Sequence, residues 1–289
     1  MIRMLSAELL KLRRRWASYI VLLVLIVMMG LVFLLVGFAS QNSSSAALVV
    51  TFPGAYDLIN QFVFGLGSLL AVAYAAAIGG ADWNWGVIRV VIARGESRGG
   101  YILVKALGIA IVLLIGVVIA YVAGILFTFG AAALAHIQAG NPFGSGSLER
   151  LVRMIADGYL VLLERAAIGF GVAVLLRSQL AGVVVGIVLY IGESILAGVL
   201  LAITISTRFG GPGINNRPGI DNLGTQWFQF LPFNIGNSVL NSGTTSPNDI
   251  ASALLQPVEV NLAIIVVVIY LAAALALAVI TTERAEISS

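Results

Sequence analysis

Residues 82–105 read DWNWGVIRVVIARGESRGGYILVK, between two long apolar runs at about 58–81 and about 106–130. Six of these residues are charged: Asp82, Arg89, Arg94, Glu96, Arg98 and Lys105. Charge is costly inside a bilayer and rare in a chain that crosses one. A short connection this polar reads as a cytoplasmic docking element held by a soluble partner. Trp83, Val87, Val90 and Val91 give it an apolar face, Arg89 and Arg94 can meet acidic residues, and Gly95 suits a helix stop. Such a helix is expected to find nothing to bury against in its own chain, because the other loops on that side are very short. The opposing expectation is a membrane-surface helix anchored by Trp83 and Trp85.

The apolar runs on either side belong to a chain-wide pattern. Hydrophobic residues make up 60% of the 289 and charged residues 10%, and the mean hydropathy is +1.04. Soluble domains carry about 25% charged residues, so the composition is that of a multi-span membrane protein. The fold class expected is all-α, with six transmembrane helices in a single domain over 1–289. The spans fall at about 16–39, 58–81, 106–130, 155–176, 180–203 and 258–280, each close to the ~20 residues that cross a bilayer. The first run is too long for the h-region of a cleaved signal, so it reads as a retained span. With no cysteine there is neither a disulfide nor a thiolate site.

Residues 2–15 read as an amphipathic helix in the membrane interface. Leu5, Leu9, Leu12 and Trp16 form one stripe, Arg3, Lys11, Arg13, Arg14 and Arg15 face lipid headgroups, and Glu8 can pair with Lys11. Arg177-Ser178-Gln179 reads as a very tight turn between the fourth and fifth spans. The loop at 206–256 is large. Its aromatic run Trp227-Phe228-Gln229-Phe230-Leu231-Pro232-Phe233 suits the headgroup region, and Ser246-Pro247-Asn248-Asp249 starts a short helix running to about Leu255. Two short helices are expected to cover that face.

Orientation follows from the basic residues. The side holding the N-terminus, residues 82–105, Arg177 and the C-terminal tail is the richer in Lys and Arg, which places it in the cytoplasm. The basic pI of about 9.4 reflects that asymmetry, and no nucleic-acid partner is needed to explain it.

Catalytic chemistry is absent from the sequence. Neither HExxH nor GxSxG occurs, no metal-ligand spacing stands out, and His136 is alone. The only lysines, Lys11 and Lys105, are followed by Leu12 and Ala106, so no P-loop is present. No catalytic and no metal-binding residue is assigned, and energy for any transport must come from an ion gradient or another subunit. Glu164 and Arg165 in the fourth span and Glu193 in the fifth are a different matter. All three lie about 20 Å from the turn at Ser178, so a helical hairpin can bring Arg165 against Glu193 with Glu164 nearby. Charges at that depth pair or face water. The cluster reads either as an interhelical ion pair fixing the hairpin or as a lining of a transport path. Gly182-xxx-Gly186 fits close helix packing.

Asp82-xxx-Gly86, Arg89, Arg94-Gly95-Glu96-Ser97-Arg98 and Lys105 together resemble the first cytoplasmic loop of the ABC type-2 transporter permeases. Val87 stands where that family usually has Thr, and Asp82 where Glu is commoner. Glu8-xx-Lys11-xx-Arg14 is similar to the family's elbow helix, and six spans with a covered outer loop before the last match as well. The resemblance implies a permease subunit without its own cofactor. ATP and Mg would be bound by a separate ABC ATP-binding subunit, and a second permease copy, identical or paralogous, would complete the exporter. It also implies a coupling helix at about 83–93 seated on the ATPase, with Asp82, Trp83, Trp85, Gly86, Val87, Arg89, Val90, Arg94 and Arg98 as the partner-binding residues. Two other readings remain open: a gradient-driven transporter using Glu164, Arg165 and Glu193, and a membrane assembly or immunity protein that transports nothing.

Overall fold

The structure is a computed structural model that describes residues 2–41, 43–84, 87, 97–144, 147–209, 227–240 and 258–284. Every regular element among them is helical. Helix α1 covers Ile2–Arg14 and α2 covers Trp16–Ser40, with Arg15 extended between them. A short α3, Ser44–Val49, is capped by the Ser43 hydroxyl, which accepts from the Ala46 N–H. Helix α4, Ala55–Asn60, runs through a π-helical stretch, Gln61–Leu66, into α5, Gly67–Asn84. Helix α6 covers Arg98–Leu134, α7 Ser147–Leu176 and α8 Gln179–Phe209. A 3-10 turn at Trp227–Phe230 leads into α9, Pro232–Leu240, and α10 covers Val260–Glu283.

Six helical segments are long and apolar enough to cross a membrane: Trp16–Ser40, Ala55–Asn84, Arg98–Leu134, Leu148–Leu176, Gln179–Leu200 and Val260–Glu283. They are the six expected from the sequence. The largest differences are at the starts of α6 and α7, each about eight residues earlier than the apolar pattern alone indicates. The 37 residues of α6 make a rod of about 55 Å, well beyond a hydrocarbon core of about 30 Å. The helix is therefore longer than one crossing requires. The expected helix at 246–255 and the tail at 285–289 lie outside the described residues.

Helices α5 and α7 are the central pair. Gly169 makes their close approach possible: a Cβ there would meet the Val72 carbonyl oxygen at 2.5 Å. Gly79 does the same one layer away, where a Cβ would lie 2.8 Å from the Phe170 ring. Helix α2 packs on α6, α10 on α7, and α8 on α5. Helix α8 turns most of its apolar side chains outward, Val184, Val188, Ile195 and Val199 among them.

The hydrogen bonds and close approaches define two ends. At one end α1 lies on α6, with Leu12 and Glu8 over Gly108. Gly80 of α5 abuts the backbone of Ser178 and Gln179, and Gly99 of α6 faces Glu283 and Val279 of α10. The tight turn expected at Arg177 is present, with Arg177 in the left-handed region at φ 51°. At the opposite end Gln41 donates to the Leu134 carbonyl at 2.9 Å, the Phe52 N–H donates to the Ala139 carbonyl at 2.8 Å, and Arg150 pairs with Asp57 at 3.0 Å. The first of these ends carries Lys11, Arg13, Arg14, Arg15, Arg98 and Arg177, and is the basic end.

Candidate functional site

Among the described residues, two clusters of buried charged side chains interrupt the apolar bundle. The first joins the two ends of residues 82–105. Asp82 occupies the last turn of α5 and Lys105 the second turn of α6; they are 5% and 1% exposed. Lys105 Nζ donates to Asp82 Oδ2 in a buried ion pair, and the Tyr101 hydroxyl donates to the same oxygen at 2.5 Å. A lysine this deep must be paired, because an uncompensated buried charge costs several kcal/mol. The Tyr101 ring also lies 5.9 Å from both Lys105 Nζ and Lys11 Nζ. Lys11 in turn donates to buried Glu8 at 3.0 Å, so α1, α5 and α6 are tied together at the basic end.

This geometry corrects two expectations drawn from the sequence. Asp82 does not offer its carboxylate to a partner surface, since Lys105 and Tyr101 occupy it inside the chain. Nor do Trp83 and Val87 of its apolar face lack a surface in the chain: both are partly buried against the main core. The α7–α8 turn supplies part of that surface, holding the Arg177 guanidinium 5.2 Å from the Trp83 ring centre. Arg98 opens α6 and donates Nη1 to the Glu283 carbonyl, at 3.3 Å, where α10 ends. Trp85, Gly86, Arg89, Val90 and Arg94 lie outside the described residues.

The second cluster lies within the bundle. Arg165 of α7 is 1% exposed and Glu164 is 0% exposed. Arg165 Nη1 donates to the Phe64 carbonyl at 3.2 Å and to Ser68 Oγ at 2.9 Å. Its Nη2 donates to the Phe233 carbonyl at 2.9 Å and to Asn237 Oδ1 at 2.8 Å. Phe64 belongs to the π-helical stretch, whose wider turn presents carbonyls to side chains; the neighbouring Gly65 carbonyl accepts from the Tyr190 hydroxyl at 3.2 Å. Tyr190 also stacks its ring 5.7 Å from the guanidinium.

The expected ion pair between Arg165 and Glu193 does not form among the described residues. Glu193 Oε1 instead accepts the Asn234 N–H at 2.6 Å. That N–H and the Phe233 carbonyl taken by Arg165 belong to one peptide group, which therefore sits between the two charges with its dipole aligned to both. The Asn234 N–H, in the first turn of α9, is shared with the Leu231 carbonyl at 3.0 Å, and a carboxylate is favoured at that end of a helix. The depth match between Arg165 and Glu193 was legible in the sequence. Ser68, Tyr190, Asn234 and Asn237 were not; the signal available was two asparagines three residues apart in an apolar run. Glu164 is different again: neither of its carboxylate oxygens has a hydrogen-bond partner among the described residues.

No group of three or more metal-ligating side chains occurs among the described residues. The arrangement can hold charge, tie helices together and transmit movement between them. A helical bundle with six segments fit to cross a membrane and polar clusters at one end and in its interior is of the multi-pass membrane class. Within that class the chain belongs to the DUF2705 family, described as "Protein of unknown function (DUF2705)", whose profile matches residues 19–288. None of the curated proteins matches it.

Proposed function

We propose that this chain is the permease subunit of an ATP-driven exporter, moved by a separate ABC ATP-binding subunit docked at residues 82–105. One observation carries the reading: the Asp82–Lys105–Tyr101 cluster clamps both ends of that stretch onto α5 and α6, with α1 packed beside it. A partner that displaces the residues between the clamped ends moves three helices at once, so work done outside the bundle enters it at one point. In this reading the basic end is cytoplasmic, in keeping with its excess of Lys and Arg, and the membrane is the plasma membrane of a bacterium. Helix α1 is the interfacial elbow, and Trp16, which opens α2, is exposed among lipids. A second permease copy completes the particle, and the outward apolar face of α8 offers surface for contacts within the bilayer. The cargo is amphipathic (a peptide, drug or lipid), since a path through this bundle is mostly apolar.

The test is co-purification of the full chain from its native membrane. A soluble P-loop ATPase is expected in the eluate, with its turnover stimulated by the permease. The double substitution Arg94→Glu and Arg98→Glu is expected to abolish that stimulation while the helical circular-dichroism spectrum stays unchanged. Transport that persists without any ATPase and follows an ion gradient overturns the reading.

A further inference from the structure

The interior cluster does not balance its charge. With both carboxyls ionised, Arg165 contributes one positive charge, and Glu164 and Glu193 contribute two negative ones. Arg165 and Glu193 are bridged by the two ends of the Phe233–Asn234 peptide, the four oxygens that accept from Arg165 are all neutral, and its Nε has no partner among the described residues. Glu164 receives none of this. It is fully buried, and both its oxygens lack a partner among the described residues. Arg165 follows it in sequence, about 100° further round the helix, and spends its donors on the π-helical stretch, α5 and α9. Two charged groups act on Glu164: Arg165, which attracts it without a hydrogen bond, and Glu193, which repels it.

We propose that Glu164 is the binding site for one monovalent positive charge, a proton or an alkali cation. A net negative charge deep in a bilayer costs at least about 2.5 kcal/mol on insertion scales, and one cation at Glu164 brings the cluster to neutrality. A divalent ion would overshoot, leaving the cluster with a net positive charge where one monovalent cation leaves none. The polar groups that surround Arg165 and Glu193 in this cluster are few enough to name. Helix α7 supplies Arg165; α8 supplies Glu193 and Tyr190. Helix α10 supplies Tyr270, whose hydroxyl donates to the Phe230 carbonyl at 2.8 Å. Helix α9 supplies Asn234 and Asn237, and α5 supplies Ser68. Of these only Arg165 carries positive charge, and it is already engaged on its neutral acceptors.

The occupancy of Glu164 bears directly on α9. With Glu164 neutralised, Arg165 is free to hold Phe233 and Asn237. With Glu164 bare, the same guanidinium is drawn toward a second carboxylate, and the anchor of α9 weakens. Cation binding at Glu164 does not depend on the exporter reading, because its test reads stability and not transport.

The experiment follows thermal unfolding of the purified full chain in detergent. One arm varies pH at fixed choline chloride; the other exchanges choline for sodium or potassium at fixed pH and ionic strength. The wild type is expected to gain stability with one of the two, following the binding of about one cation. Glu164→Gln, which removes the charge without changing shape, is expected to lose that dependence and to unfold at or above the temperature of the fully loaded wild type. A response in the pH arm identifies the proton, and a response in the exchange arm identifies the alkali cation. A wild type that responds in neither arm, or a response that Glu164→Gln retains in full, overturns the proposal. Infrared difference spectra of the wild type supply a readout that needs no variant. A carboxyl or carboxylate band must shift with the titrated cation, and an unchanged spectrum counts against the site.

Discussion

The two polar clusters solve the same problem in opposite ways. At the basic end, one cation and one anion meet at a single oxygen, a tyrosine completes the set, and the charges cancel. Within the bundle, the opposite charges are separated by a peptide group of α9, and one carboxylate is left over. The first arrangement is a fixed brace, since moving either partner strands a buried charge. The second spans the π-helical stretch, α5, α7, α8 and α9 through several separate hydrogen bonds, each joining a charged side chain to a neutral group. Its parts can be exchanged one at a time. The basic-end cluster is therefore suited to carrying force, and the interior cluster to responding to a change of charge.

The sharpest way to break this comparison is Lys105→Met. It leaves Asp82 buried against one hydroxyl, and the expected loss is about 3–5 kcal/mol, read as a lower unfolding midpoint in mixed micelles. The double variant Asp82→Asn, Lys105→Met removes the charge as a pair and is expected to recover most of that loss, because a neutral buried pair no longer needs compensation. In the interior cluster the corresponding single neutralisation, Glu164→Gln, is expected to cost nothing. If Lys105→Met is equally harmless, the distinction between brace and responsive cluster is gone.

How far the sequence announced these clusters follows from what each is made of. The spans were legible because an apolar run of about 20 residues fits a bilayer crossing and little else. The early start of α6 was not, because Arg98 and Lys105 look like loop residues until Asp82 is placed beside the second of them. Asp82 and Lys105 are 23 residues apart, a separation with no helical period to betray contact. The sequence shows them only as the two polar ends of one stretch, with nothing to say that they meet. The interior charges could be set at one depth by counting from Ser178. The inserted peptide could not be foreseen, since α9 lies in a loop whose path no periodicity fixes. The Phe64 carbonyl was equally hidden, because a π-helical turn leaves no mark in composition.

A smaller effect sharpens the picture of α9. Glu193→Gln keeps the shape but replaces a charged acceptor at the start of α9 with a neutral one. Hydrogen bonds to charged groups contribute about 1.5–3 kcal/mol, and part of that is expected to disappear. The consequence should be local: amide exchange of residues 233–240 speeds up, while α5 and α6 at the basic end keep their protection. Exchange rising equally in both regions would mean that the two clusters form one cooperative unit.

The smallest expected effect is the one that calibrates the rest. Arg153 pairs with Glu149 one turn away on α7 at 3.1 Å, with both side chains largely exposed. The chemistry is that of Lys105 and Asp82, a basic side chain on a carboxylate, but water and salt screen it. An exposed pair of this spacing contributes about 0.3–0.5 kcal/mol, so Arg153→Ala should shift the unfolding midpoint barely beyond error and not at all in high salt. The contrast with Lys105→Met then isolates burial as the cause, since both pairs join a side-chain cation to a carboxylate. Should the exposed pair prove as costly to remove as the buried one, the weight placed on desolvation at the basic end is misplaced, and the rigidity assigned to that brace must come from the packing of Leu12 and Tyr101 instead.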